Sequence, residues 1–580
     1  MAQDAKFGSV SRRGFLAAGV GAVAVASVSW APAGAVPWGP QSTLAPPPEF
    51  PAGIPLSQQA YVNWSKEIVL DSVWTATARS ADDVVILSNW AHQHGYTVRA
   101  RGTMHGWSPL TVVPGASVDR VLLVDTMVHL NSVAVQPGAP ATVTAGAGAS
   151  IEKILSALQE QGLGWANAPA IGELSIAGAL AIGAHGATYP AAGETITPGQ
   201  SYGSLSNLIT TITVVAWDAS ENSYQLREFK RSDVESTAFL THLGRTFVTS
   251  VTLQAGENYR LRCQSYTDIP WQELFAPPGS PGRTYESFVE TSGRVEAIWF
   301  PFTATPWLKV WTPTPVKPPE SREVHGPYNY FFSDAIPEEV TTPLGMVAKG
   351  LQGATPVFGA SQFGAVAAGL VLTDTDDLWG WSKDVLFYLR HTTLRVVAGG
   401  GAVITKRSNI GRVIHEMTSW LNERMTHYAS LGQYPVNMPF EVRLCGVDDQ
   451  CDVMVDSAGA PDLSAVRPRA DRSDWDTAIW MNVVSIPGTP GLSAFLREME
   501  RWMVATYSGD YATFRPEWSK GWAFTENAAY QDDEFLTRTV PATFEAGGDG
   551  NWDFALATLD KYDPHRIFSN SFIDQFMPRK

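Results

Sequence analysis

The chain has 580 residues, 44% of them apolar and 17% charged, which at about 100 to 200 residues per domain gives several domains and excludes both a small module and a disordered, charge-rich chain. The 57 acidic residues outnumber the 41 basic ones and leave a net charge of −16, a sign that repels phosphate backbones and makes nucleic acid an unsuitable partner. Aromatic residues reach 11%, which suits a large core or a cavity for a bulky apolar ligand.

At the N-terminus, Arg12-Arg13 precede an apolar run from Phe15, with small residues at Ala33 and Ala35. This pattern predicts a twin-arginine export signal over residues 1–35 and a mature protein that is periplasmic or secreted. No further stretch is expected to reach transmembrane length. The twin-arginine route carries folded cargo, which points to a cofactor loaded before export. Only Cys263, Cys445 and Cys451 occur, so a disulfide scaffold and a cysteine-based zinc site are excluded. Cys445 and Cys451 flank a turn-like segment that can close a small disulfide loop in an oxidising compartment.

Residues 36–56 are rich in proline and read as a linker, with structure expected to start near Val62. Ser80-Ala81-Asp82-Asp83 opens a helix with Val84, Val85, Leu87, Trp90 and Ala91 on its apolar side, closed at Gly95. Strands follow at 96–100, 121–124 and 141–145, then a helix from 150 to 161 and a β-rich run from 208 to 253. Without a regular βαβ repeat, this region predicts an α+β domain over 57–259. A composition shift near 260 opens a second domain, expected over 260–553, with an amphipathic helix from Asn409 to Tyr428 and strands near 440 and 480. Residues 554–580 are expected to return to the first domain.

Chemistry concentrates in two glycine-rich zones. Arg99-Ala-Arg101-Gly102-Thr103-Met104-His105-Gly106-Trp-Ser108 is a strand running into a turn whose glycines let main-chain N–H groups face an anion. The zone from Gly172 to Gly186, rich in Gly and Ala, lets a flat or extended cofactor lie on the main chain. Gly146-Ala-Gly148 follows a strand, but it lacks the third glycine and the acidic partner of a dinucleotide fingerprint. His415-Glu416 lacks a second histidine at metalloprotease spacing, position 419 being serine; no metal site is expected.

On these segments the chain resembles the vanillyl-alcohol-oxidase-like flavoproteins. His105 stands where the family carries a flavin-linked histidine, and Arg101, Gly102, Thr103, Met104, Gly106, Ser108, Ser175, Gly178, Gly183, His185, Gly186, Thr249 and Asn570 fall in segments similar to its FAD-contacting ones. Two residues separate His105 from Ser108, where many relatives place the serine directly after the histidine. The resemblance implies FAD attached covalently through His105. It also implies a two-domain fold, with a discontinuous FAD-binding domain over 57–259 and 554–580 and a substrate-binding domain of mixed sheet and helices over 260–553.

Within the family the chain is most similar to bacterial cholesterol oxidases with covalently bound FAD. Glu441 and Arg443, at i and i+2 in Phe440-Glu-Val-Arg-Leu444, project from one face of a strand and can pair in a partly dry cavity. The resemblance sets that pair beside the flavin, with the arginine movable as a gate, and matches Glu296, Asn482 and Lys520 to further polar positions of the site. It implies oxidation of a sterol 3β-hydroxyl, reduction of dioxygen to hydrogen peroxide, isomerisation to the conjugated 4-en-3-one, and transient contact with a membrane surface. A base at Glu441 or Glu296 needs its pKa raised by desolvation. An alternative is a sugar or polyol oxidase on the same FAD domain. Trp271, Trp299, Trp307, Trp311, Trp379 and Trp381 favour the apolar substrate, with a place in the core as the alternative for them. A lipid-binding protein with a purely structural flavin is a third reading.

Overall fold

A computed structural model describes residues 44–330, 350–390, 393–545, 547–548 and 550–579. The export signal expected at 1–35 and the first part of the expected linker lie outside these residues. From residue 44 onward the stretch read as a linker is packed. Leu44 and Ile54 are buried, and the carbonyls of Ala45 and Pro48 accept the indole N–H groups of Trp74 and Trp90 at 3.0 and 2.9 Å. A proline-rich chain lacks N–H donors but keeps its carbonyls, and here they satisfy two tryptophans. The first strand accordingly starts at Leu56, ahead of Val62.

The architecture is α+β and rests on three sheets. A four-stranded sheet orders Leu56–Val62, Val69–Thr77, Val121–Asp125 and Thr97–Arg101, the last three mutually parallel. The helix Ala81–His94 crosses between two of these strands, capped by Ser80, which accepts from the Asp83 N–H, and closed by Gly95 at φ 67°. Its apolar side, with Val84, Leu87, Trp90 and Ala91, packs on Val98, Leu122, Val215, Phe247 and Phe568. It thereby joins the four-stranded sheet to an antiparallel second one, in which Ala141–Gly146, Phe247–Glu257 and Ile209–Asp218 lie side by side. Gly146 and Gly148 serve packing here, as their lack of a fingerprint implied: a Cβ would stand 2.5 Å from the Leu130 carbonyl oxygen and 2.0 Å from that of Thr126.

The third sheet has nine strands and carries the floor of the cavity described below. Six of its members, in spatial order out to one edge, are Trp307–Pro313, Arg294–Trp299, Phe440–Gly446, Thr477–Ser485, Val397–Thr405 and the edge strand Ala512–Pro516, all antiparallel to their neighbours. Arg322–Glu323 pairs in parallel at one edge, so the sheet is mixed. The helices Ile410–Ser430 and Leu492–Thr506 bury Val413, Met417, Leu421, Phe495, Met499 and Met503 in the same core as this sheet. Near the C-terminus, Asp563 accepts from Tyr224 Oη at 2.6 Å and pairs with Arg245 at 2.9 Å, while Ile567 O accepts from Val98 N at 2.7 Å.

One expectation about length is overturned. Gln352–Thr373 is a helical stretch of 22 residues, long and apolar enough to cross a membrane, and it holds no charged residue. Its alternating Gly and Ala lower the apparent hydrophobicity of the sequence and hide the run. Leu351, Val357, Val371 and Leu372 nearby are exposed, while Phe358, Gln362, Ala365 and Val366 turn toward the cavity. Gly359 lets this helix close on Pro301, whose carbonyl oxygen would lie 2.3 Å from a Cβ.

Candidate active site

The strand Thr97–Arg101 runs directly into the first glycine-rich turn. Gly102 is required by proximity, since a Cβ there would stand 2.3 Å from Ser175 Oγ. The left-handed residue of the turn is Met104, at φ 56°, a costly conformation for a side chain of that size and a mark of a functional turn. This geometry presents His105 to a cavity of about 540 Å³, its ring 3.9 Å from that of Trp64. Ser108 is committed elsewhere as a donor, to the Trp518 carbonyl at 3.1 Å.

The same cavity is walled by Ala147, Ala177, Gly178, Ala181 and Ala184, a surface of small side chains. Among the buried side-chain atoms of its lining without a hydrogen-bond partner are Arg99 Nε, Trp107 Nε1 and His242 Nε2. Because Gly244 N donates to His242 Nδ1 at 3.2 Å, the ring proton sits on Nε2. Burial first, and Arg99 second, push the His242 pKa down to about 3, so this donor is neutral. A flat wall of small residues, the donors Arg99 Nε and His242 Nε2 and a half-buried imidazole on the cavity lining fit FAD, with its planar ring and its anionic phosphates.

Opposite stands a charged row built by strand register. Lys309, Glu296 and Arg443 are directly opposed on three adjacent antiparallel strands, so their side chains share one face. Glu296 lies 2.5 Å from Lys309 Nζ and 3.1 Å from Arg443 Nε, and Tyr388 Oη donates to both its oxygens at 2.9 and 2.7 Å. Burial pushes the Glu296 pKa up, but Lys309 and Arg443 outweigh it and hold it below the ordinary value. Arg443 also pairs with Glu441, two residues away on the same face. Despite burial, Glu441 and Glu296 keep Arg443 firmly protonated.

A second cluster centres on Glu517. Its Oε2 accepts from Asn482 Nδ2 at 2.8 Å, its Oε1 from Ser519 Oγ at 2.7 Å, and His185 Nε2 lies 3.4 Å away. The His185 ring is stacked on Trp480 at 3.6 Å. Burial raises the Glu517 pKa, yet Lys520, His185 and Arg443 together drive it well below the usual range. Lys520 Nζ sits 4.2 Å over the Trp107 ring.

Of the residues singled out in the sequence, Arg101, Gly102, Thr103, Met104, His105, Gly106, Ser108, Ser175, Gly178, His185, Glu441, Arg443 and Lys520 line this one cavity. Others stand behind it. Gly186 is a packing glycine, 2.2 Å from the Ala168 oxygen were it to carry a Cβ, and Gly183 turns at φ 61°. Thr249 Oγ1 donates to Thr213 O at 3.2 Å, and Asn570 caps the Ser571–Phe576 helix while donating to Pro109 O at 3.0 Å. These four do not line the cavity itself and stand in the loops around it. Glu296 and Asn482 likewise lie off the lining and touch it through Arg443 and Glu517. Glu296 is held as a carboxylate with both oxygens engaged, whereas Glu441 stands at the cavity wall.

Of the six tryptophans, only Trp307 lines the cavity. Trp271 stacks on Trp299 at 4.9 Å, Trp311 is buried, and Trp379 and Trp381 lie under Arg260 at 4.6 and 3.7 Å. All three cysteines are free. Cys445 is buried and accepts the Trp480 indole N–H at 3.0 Å, so the small disulfide loop does not form. The sequence reading missed Glu517, Tyr388, Lys309 and His242. Lys309 alone carried a signal, a lone cation centred in the apolar strand Trp307-Leu-Lys-Val-Trp311.

Comparison with known proteins bears on the whole chain. Residues 260–578 match the family profile described as cholesterol oxidase, substrate-binding, and residues 74–198 match that of an FAD binding domain. Among solved structures, a cholesterol oxidase from Brevibacterium sterolicum superposes with a TM-score of 0.90 at 54% identity, covering 93% of this chain and 100% of its own. A histidine-to-alanine variant of the enzyme from that organism gives the same figures. A solvent-stable cholesterol oxidase aligns at 47% identity with a TM-score of 0.90, covering 92% of this chain and 100% of its own. No curated protein matches.

Proposed function

The chain belongs to the cholesterol oxidases, flavoproteins that join an FAD-binding domain to a substrate-binding domain, and on that premise we propose that it oxidises the 3β-hydroxyl of cholesterol or a close sterol. It is an FAD-dependent oxidoreductase acting on a CH–OH group. The observation that carries the sterol reading is one cavity lined on one side by the His105 turn and on the other by Glu441, Arg443 and Lys520. Its remaining walls include Ile298, Phe300, Trp307, Phe358 and Val366, an apolar surface that suits a fused-ring alcohol and gives a polyol no partners.

FAD, when bound, accepts the electrons of the carbinol carbon and passes them to dioxygen, giving hydrogen peroxide. His105 is proposed to hold it covalently, with Arg99, Gly102, Ser175, Gly178 and His242 against the rest of the molecule. Arg443 stabilises negative charge as it develops on the substrate oxygen. Glu441, the carboxylate at the cavity wall, takes the hydroxyl proton and shuttles a proton between ring carbons in the isomerisation to the 4-en-3-one. Glu517 fixes His185 and Asn482 in place and balances Lys520. The domain division that serves this reading is 57–259 with 554–580 for FAD and 260–553 for the sterol.

A sterol resides in lipid, and the uncharged helix from 355 to 373 offers one flank to the cavity and another to the outside. We assign to it the transient contact with a membrane surface. Arg12-Arg13 and the apolar run after them support export by the twin-arginine route.

Two measurements test the whole. Purified protein is expected to release peroxide with cholesterol and none with xylitol; the reverse selectivity overturns the sterol assignment. Yellow colour is expected to stay with acid-precipitated wild type and to leave His105→Ala, whose turnover falls by about tenfold or more. Flavin retained by the variant overturns the covalent assignment.

A further inference from the structure

The buried row on the nine-stranded sheet contains one more cation than its cavity-facing chemistry uses. Lys309 is fully buried and Glu296 nearly so, at 0% and 1% side-chain exposure, and Lys309 is absent from the cavity lining. Its surroundings are otherwise aromatic: Tyr388, Trp307 and Trp311 at 3.2, 4.7 and 5.3 Å from Nζ to ring centre. Glu296 is the one carboxylate paired with it among the described residues. Arg443 differs on each count. Its side chain is 15% exposed, it lines the cavity, and it has two carboxylates, Glu296 behind it and Glu441 beside it.

The charges therefore alternate as cation, anion, cation, anion from Lys309 to Glu441. If Arg443 turns toward the cavity, it keeps Glu441. Glu296 then keeps Lys309, and no buried charge is left alone, which is the arrangement that would otherwise forbid the movement. With Lys309 absent, Glu296 would have Arg443 as its only paired cation among the described residues. It would either pin the guanidinium in place or take up a proton on its departure.

We propose that Lys309 is a positioning residue, the resident counter-ion of Glu296 that frees Arg443 to leave it during turnover. This rests on the reading of Arg443 as the movable cation of the sterol site. The groups facing Glu296 from the elements packed around it are Lys309 and Arg443 on the flanking strands, Cys263 one strand beyond Lys309, Tyr285 from the preceding helix and Tyr388 from the loop above. Among them Lys309 is the only cation that is not itself part of the cavity wall.

The test compares wild type, Lys309→Met, Lys309→Arg and Glu296→Gln as full-length holoenzymes. Flavin reduction by sterol and reoxidation by dioxygen are followed in stopped flow across the pH range. Lys309→Met is expected to slow at least one of these steps by about tenfold and to add an ionisation to its pH profile. Lys309→Arg, which keeps the charge, is expected to retain the wild-type profile. In infrared difference spectra, Lys309→Met is expected to show a protonated-carboxyl band that disappears in the double variant with Glu296→Gln. An unchanged profile with no new band overturns the proposal. Should Lys309→Met fail to fold, the wild type decides: a Glu296 carboxyl that titrates there between about pH 5 and pH 8 shows that Lys309 does not hold it ionised. If Arg443→Ala leaves turnover intact, the underlying reading of Arg443 fails. If that variant is impaired while Lys309→Met is not, the counter-ion proposal alone fails.

Discussion

The two walls of the cavity are built on opposite principles. The cofactor wall is made of main chain and small side chains: Gly102 against Ser175, Gly178, Ala181, and a turn forced through Met104. The polar part of the sterol wall, Glu441 and Arg443, is backed by charged side chains, Glu296 and Lys309, held in a row by the register of three strands. In the first, specificity comes from what is missing, and any added atom is an intrusion. In the second, it comes from what is present, and any lost charge leaves another unpaired. The two walls should therefore fail differently, one by losing its ligand and the other by losing its rate.

The largest effect is expected at Arg443. Arg443→Ala removes the only guanidinium on the sterol wall among the described residues and leaves Glu441 without its ion pair, while Glu296 retains Lys309. Turnover is expected to fall by about 100-fold or more, with sterol KM changing only a few-fold, because the lost interaction is made mainly in the transition state. Steady-state kinetics with a dispersed sterol separates the two. A change confined to KM would assign Arg443 to binding and erase the contrast between the walls.

Gly102 should show the other kind of failure. In Gly102→Ala the new methyl stands 2.3 Å from Ser175 Oγ and 3.2 Å from its Cβ, an overlap worth about 1–3 kcal/mol if the loop cannot yield. The expected outcome is a lower flavin-to-protein absorbance ratio at near-normal turnover per bound flavin. Ser175→Gly in the same chain removes both contacted atoms and should restore much of the ratio. A full complement of flavin in Gly102→Ala alone would show that the close approach is not what shapes this wall.

The same difference explains what could be read in advance. Ser80 and Gly95 mark their helix because capping is local, and the turn around His105 is legible because its residues are contiguous. Glu441 and Arg443 could be put on one face because the period of a strand is two. What the sequence did not disclose was adjacency across strands. Glu296 meets Arg443 only through a pairing of segments nearly 150 residues apart. Glu517 follows the strand Ala512–Pro516, which does not even neighbour that of Asn482; the strand Val397–Thr405 runs between them, and the carboxylate reaches Asn482 across it. The tryptophans pointed to the apolar substrate but not to its wall, since composition gives their number and not the side of the sheet they face.

The smallest expected effect lies behind the sterol wall and tests whether its support, too, depends on charge. Glu500, buried on the helix Leu492–Thr506, accepts the N–H groups of Ala523 and Phe524 at 2.8 and 3.1 Å, just past Lys520. Burial pushes its pKa up to about 8, the two main-chain donors opposing. The folded state therefore holds a proton at neutral pH that the unfolded chain, with an ordinary carboxyl, has released. Its contribution to stability is complete in acid and is lost as pH rises toward about 8. Tm should accordingly decline by a few degrees between about pH 5 and about pH 9 in the wild type, and the decline should be shallower in Glu500→Gln, which carries no titrating proton. Identical slopes in the two proteins would mean that Glu500 is ionised in the fold, with its two N–H donors outweighing the cost of burial.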